Sequence, residues 1–273
     1  MDKISSWIRE RGIIWAFLYT LREVIMRSYK AIMLGLESKI TDIERKRMII
    51  GQSTISFERN TRADNLRMWT AHDWSRFGEE WTEDAREFRG IAPTHWKQAL
   101  IAKVLMPQLR NGMTILEIGP GGGRWTEVLL PFASKLLLAD ITERCLEICR
   151  KRFLNRNNIE YYLVDDSPWL MEIGDDVVDL VWSYDTFVHI NPLDTQAYVE
   201  EIGRVLNSTG CAIIHHPGEY ESYEARLNGF RSNVDPKMFE TFVQNNGMMV
   251  ISQDFDAPHM EGDCITRFRK REQ

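Results

Sequence analysis

From residue 113 onward, short apolar runs alternate with stretches whose apolar residues recur at helical spacing. The runs at 114–118, 135–139, 159–164, 178–183 and 211–215 predict β-strands. Between them, 125–132, 143–153 and 195–206 repeat apolar residues every three or four positions and predict helices. This alternation implies right-handed βαβ units around a parallel sheet. Two further strand-like runs, 248–254 and 264–268, are separated only by a loop, so they are expected to pair antiparallel at the sheet edge. A hairpin of this kind is not the usual ending of a nicotinamide-binding fold.

The first third of the chain is patterned differently. Ile14, Leu18, Leu21, Ile25, Tyr29, Ile32 and Leu36 form one apolar stripe over a helical stretch at 4–38, with Arg9, Arg22, Arg27 and Lys30 as cations. Such a stripe suits an anionic membrane surface, or packing on the protein's own body or on a second copy in a homodimer. Packing is favoured, because the stripe holds no strong basic cluster. Residues 51–110 read as helical and rich in tryptophan; Trp69, Trp74, Trp81 and Trp96 are core anchors or parts of a lid. The chain thus divides into an amphipathic extension (1–50), a tryptophan-rich cap (51–110) and an α/β core (111–273).

Composition narrows the function. The formal net charge of -6 argues against a nucleic-acid partner, whose phosphates demand a basic surface. The first 50 residues hold 10 Lys+Arg against 6 Asp+Glu, so the acidic excess lies downstream. Cys145, Cys149, Cys211 and Cys264 form no CxxC or Cys/His cluster, and no metal is expected. The longest charge-free apolar run, 12–21, is half the ~20 residues of a spanning helix. A cytoplasmic protein is expected, with 4–38 available for contact with the inner membrane face.

The most informative segment is Ile115-Leu116-Glu117-Ile118-Gly119-Pro120-Gly121-Gly122-Gly123-Arg124-Trp125. A strand ends in an acid and turns through glycines into a helix. Gly119, Gly121 and Gly123 let the backbone pass close beneath a ligand, and Pro120 belongs to the same cofactor-binding turn. Arg124 stands where a dinucleotide fingerprint has its third glycine, and the Glu117 carboxylate would repel pyrophosphate but suits a cationic ligand. Asp140, followed by Ile141, ends the second strand and can accept both hydrogens of a ribose diol. Asp165-Asp166-Ser167 ends the third, where a carboxylate and the next N–H suit an adenine edge. Ser183 and Asp185 close the fourth.

On these residues the chain resembles the class I S-adenosylmethionine-dependent methyltransferases over 113–273. The matching pieces are ILEIGPGGGRWTEVL, LLLADIT, EYYLVDDS, VDLVWSYDTFVHI, YVEEIGRVLNSTGCAIIHH and the closing hairpin. The resemblance implies a Rossmann-like α/β fold with seven strands, mostly parallel, and S-adenosylmethionine as cofactor. It assigns Gly119, Gly121 and Gly123 to the cofactor's amino-acid end, Asp140 to the ribose and Asp166 to the adenine. Relatives tend to have an Asp-Gly pair where this chain has Asp165-Asp166-Ser167. DWSRFGEEW, VHI and DCITRFRK are similar to bacterial enzymes that modify surface polysaccharides and sugars.

Methyl transfer to oxygen requires a proton acceptor, and His189, His215 and His216 are the candidates. His216 is expected on the rim beyond the fifth strand, with His215 alternating to the other side. Tyr220, Tyr223, Arg226 and Arg231, between that strand and the next helix, are expected to grip a small-molecule or glycan acceptor. Protein, lipid or another metabolite as acceptor, and cofactor binding without turnover, are the competing readings.

Overall fold

A computed structural model describes residues 60–83, 90–164, 170, 172–218, 231–259 and 262–271. The stripe expected at 4–38 lies outside these residues. Seven strands, β1 (Met113–Ile118), β2 (Ala133–Asp140), β3 (Ile159–Leu163), β4 (Val178–Ser183), β5 (Leu206–Pro217), β6 (Met248–Asp254) and β7 (Asp263–Lys270), make one sheet. Their order is β3-β2-β1-β4-β5-β7-β6. The first five pair parallel, whereas β7 inserts antiparallel between β5 and β6. The fold is Rossmann-like α/β with a closing antiparallel hairpin, as the alternation predicts.

Four longer helices are α1 (Arg62–Ala71), α2 (Glu143–Arg152), α3 (Pro192–Val205) and α4 (Pro236–Asn245). Helix α3 begins three residues before the predicted 195. Asn191 caps it by accepting from Asp194 N at 2.9 Å, and Pro192 supplies a preset first turn. Its buried Thr195, Tyr198, Val199, Ile202 and Val205 form the face that covers the sheet. The helix expected at 125–132 is a single α-turn, Thr126–Leu129, followed by a 3₁₀ turn through Pro131. Strand β5 starts at Leu206 rather than 211. The polar Asn207-Ser208-Thr209 and an irregular register opposite β4 conceal its first half from an apolar-run reading.

Leu116, Leu136, Leu138, Leu180, Trp182 and Ile213 are buried in the sheet. Each such side chain contributes about 1.5–3 kcal/mol relative to exposure. Trp96 is 0% exposed and donates its indole N–H to Ala257 O at 3.0 Å, which makes it a core anchor. Among the described residues no helix is long and apolar enough to cross a membrane.

The strand order reverses direction between β1 and β4. In open α/β sheets the crevice beyond the carboxyl ends at such a switch point is where ligands bind. The turn after β1, Asp140 at the end of β2, and the segment after β4 all converge there.

Candidate active site

A cavity of about 550 Å³ occupies this crevice. One wall is the turn after β1. Gly119, Pro120 and Gly121 line it, and Gly121 has φ +54°, a left-handed conformation that suits glycine. A Cβ on Gly121 would lie 2.6 Å from the Trp74 ring, and one on Gly122 would lie 2.5 Å from Phe77 Cα. The glycines therefore admit a close cover as well as a ligand. That cover is the Asp73-Trp74-Ser75-Arg76-Phe77-Gly78 segment, which places Trp74 as the lid alternative has it. Trp69, Trp74 and Trp81 line the cavity and pack on one another with ring centroids 5.8–6.1 Å apart.

Asp140 lies beside that turn. Its Oδ1 accepts from Thr142 N and Oγ1, both at 2.8 Å, while Oδ2 accepts a long 3.4 Å bond from Gly121 N. Burial raises its pKa against these hydrogen bonds, so a donor ligand at Oδ2 would stabilise the carboxylate. Ile141 also lines the cavity.

Other predicted residues sit elsewhere. Glu117 and Ser183 are buried beneath the wall and are not among its lining residues. Glu117 accepts from Thr126 Oγ1 at 2.6 Å, and burial pushes its pKa up to about 8. Ser183 donates to Ile118 O at 2.7 Å and ties β4 to β1. Gly123 packs near Phe153, away from the cavity lining. Asp166, Ser167, Tyr220, Tyr223 and Arg226 lie outside the described residues.

The histidine alternation is reversed from expectation. His216 is fully buried, stacks on Phe239 of α4 at 4.1 Å, and bonds Pro217 O at 2.7 Å and Thr266 Oγ1 at 2.6 Å. Phe239 packs on its side of β5, so His216 faces away from the cavity. Burial lowers its pKa to about 3. His215 takes the opposite side and enters the charged network behind the cavity. His189 lines the cavity, stacks edge-on against Trp69 at 4.9 Å, and has Nδ1 buried without a partner. Burial, then the Arg231 charge, lowers its pKa to about 3.

The second wall gathers residues from distant parts of the chain. Asp185 has φ +61°, which turns the chain sharply after β4. Its Oδ2 pairs with Arg124, and its Oδ1 lies 3.2 Å from His215 Nδ1 and 3.4 Å from His259 Nδ1. His215 Nε2 faces Asp263 Oδ2 at 3.1 Å, and Asp263 takes a bidentate bond from Arg231 at 3.0 and 2.9 Å. Burial opposes both carboxylates. The surrounding cations outweigh it, holding Asp185 well below the usual range and Asp263 near about 2. Burial would lower His215 too, but Asp263 and Asp185 on either side raise it. His259 lines the cavity, and burial lowers its pKa to about 4. Asp185, Arg231 and His215 are candidates from the sequence alone, whereas nothing local to Arg124, His259 or Asp263 marks their part in this network.

The sheet order, the glycine turn and the strand-tip Asp140 together define a class I S-adenosylmethionine-dependent methyltransferase fold. In agreement, residues 115–210 match the family described as a methyltransferase domain. A 123-residue stretch is 31% identical to the squalestatin hexaketide synthase clz14 of Cochliobolus lunatus. That match spans 41% of this chain but only 4% of the synthase. Among solved structures, the [4+2]-cyclase SpnF is similar with a TM-score of 0.58 at 14% identity, covering 81% of this chain and 100% of that one. A chain of the Haloferax volcanii complex with the Trm112 methyltransferase activator gives 0.57 at 16%, covering 77% and 97%. The PH0226 protein of Pyrococcus horikoshii OT3 gives 0.53 at 17%, covering 73% and 99%. At these identities the likeness is one of fold.

The domain implies S-adenosylmethionine as cofactor, and the residues present fit it. Gly119 and Gly121 bring backbone to the cavity lining with no side chain of their own, and Asp140 presents a carboxylate oxygen with acceptor capacity left for a diol.

Proposed function

We propose that the protein transfers the methyl group of S-adenosylmethionine to an oxygen of a sugar, glycan or related small molecule. The observation that carries this reading is a single cavity with two unlike walls. One is glycine backbone with Asp140, the other a cluster of imidazoles and guanidiniums under aromatic rings. The ring faces of Trp69, Trp74 and Trp81 suit the C–H face of a sugar, and the resemblance to sugar-modifying enzymes in DWSRFGEEW and DCITRFRK points the same way.

Gly119, Pro120, Gly121, Asp140 and Ile141 would hold the cofactor, with Asp166 and Ser167 at its adenine and Asp185 near its amino-acid end. Bound S-adenosylmethionine supplies an electrophilic methyl on a sulfonium. Trp74 and Phe77 exclude water above the glycine turn, and the walls fix the acceptor's approach, which is most of what an in-line displacement needs. The acceptor's hydroxyl proton has two neutral imidazoles available, at His189 Nδ1 and on His259. A base contributes about 10²–10⁴-fold when its pKa lies near the working pH, so an imidazole held as low as these needs a counter-ion for the charge it takes up. Asp185, a carboxylate 3.4 Å from His259 Nδ1, would stabilise the imidazolium formed there.

The test is mass-spectrometric: purified protein with methyl-labelled cofactor and a set of sugar nucleotides and cell-surface glycan precursors. Transfer of label to a sugar oxygen is expected. Tight binding of S-adenosylhomocysteine with no transfer to any member would favour a non-catalytic binding protein, and label on protein or lipid would move the acceptor class. Residues 4–38 are proposed to pack on the protein's own body or on a second copy, with an anionic membrane surface as the alternative. Vesicle sedimentation and light scattering with and without residues 1–38 decide between these.

A further inference from the structure

Arg124 is only 4% exposed yet lines the cavity. Its Nη2 is committed to Asp185, but Nη1 is buried with no partner. The guanidinium carbon lies 5.1 Å from the ring centre of Trp125 and 5.8 Å from those of Trp81 and Tyr184. Ring faces stabilise the cation but accept no in-plane N–H bond. The indole N–H of Trp125, also in the cavity wall, is likewise buried and unpartnered. Two neighbouring orphan donors in one wall are costly, since a buried donor left unpaired forfeits about 1–3 kcal/mol, more when charged. A ligand oxygen reaching them removes that cost.

Charge selects the kind of oxygen. Asp185 does not belong to Arg124 alone, because its Oδ1 also faces His215 and His259. Asp263 is likewise divided between Arg231 and His215. Among the described residues, each of these carboxylates is shared between a guanidinium and at least one imidazole, so an added negative charge beside Arg124 is accommodated more readily than a positive one. Buried guanidinium N–H groups bond carboxylate and phosphate oxygens about twice as strongly as neutral ones.

We propose that Arg124 Nη1 and Trp125 Nε1 form an anion subsite within the cavity and that the methyl acceptor carries a carboxylate or phosphate. This rests on the methyltransferase reading and narrows its substrate class to an acidic one. The cofactor's own carboxylate has the same chemistry, so the experiment separates the two sources.

Titration calorimetry on protein saturated with S-adenosylhomocysteine, using inorganic phosphate, glucuronate and glucose, provides the test. Phosphate and glucuronate are expected to bind at least about tenfold more tightly than glucose, and Arg124→Gln to abolish the difference. Trp125→Phe keeps the ring, loses the donor and should weaken both anions about two- to fivefold. Equal affinity for glucuronate and glucose overturns the proposal. So does an Arg124→Gln variant that loses S-adenosylhomocysteine affinity while keeping that for 5′-methylthioadenosine, which lacks the amino-acid end. If Arg124→Gln does not fold, Trp125→Phe decides, and unchanged anion binding in it is a negative result. A protein that never binds S-adenosylhomocysteine sinks the methyltransferase reading, whereas phosphate titration of the same sample still decides the subsite.

Discussion

The two walls of the cavity are built on different principles. The wall at Gly119–Gly121 and Asp140 is mostly backbone, and its parts come from one strand–turn–helix unit and the strand beside it. The other wall, with the charged network behind it, is mostly side chain, and Arg124, Asp185, His215, Arg231, His259 and Asp263 come from five separated stretches of chain. The first wall offers shape with one carboxylate. The second offers a chain of ion pairs in which Asp185, His215 and Asp263 each join two or more others. A wall of backbone tolerates loss of a side chain better than a wall of mutually dependent charges.

That contrast can be broken by mutation. The largest effect is expected for Asp263→Ala, which removes the buried carboxylate that Arg231 and His215 share; a loss of about 3–5 kcal/mol in urea unfolding is expected. A loss below about 1 kcal/mol would show the ion pairs to be incidental. On the other wall, Asp140→Ala should leave the fold largely intact and weaken S-adenosylhomocysteine binding by about 1.5–3 kcal/mol in calorimetry. Unchanged affinity would remove Asp140 from the cofactor's site.

Gly121→Ala probes the contact between turn and cover. It adds a side chain at positive φ facing Trp74, with an expected cost of about 1–3 kcal/mol. Trp74→Ala in the same chain should restore part of it, and additive losses would deny the contact. The smallest effect is a pH trend. Glu117, with its folded pKa raised to about 8, binds more protons folded than unfolded, so its contribution is lost as pH rises from about 4.5 through 8. Glu117→Gln should match wild type near pH 5 and gain by about 1 kcal/mol or more near pH 9. Parallel stability curves would contradict the buried acid.

The same contrast explains what the sequence revealed. The strands and the turn after β1 are local in pattern, so β1, β4 and the hairpin are found within a residue or two of their predicted ends. Asn191-Pro192 is a start signal that the apolar spacing at 195 overlooked. The charged wall was largely illegible because its pairs span long separations, such as Arg124 with Asp185 and Asp185 with His259. His216 illustrates the difficulty. Alternation along β5 told His215 from His216 but not which side α4 would cover, and Phe239 decides that. The cover segment is legible as a tryptophan-rich candidate lid but not in its seat, since nothing local to Trp74 says that it rests on Gly121.

That resting contact has a practical consequence. An indole against the glycine turn, with its own N–H donating to Trp69 O at 3.0 Å, is a chromophore at the cavity's edge. Emission that Trp74→Phe removes should change colour when the crevice fills, giving an optical readout of occupancy with no label attached.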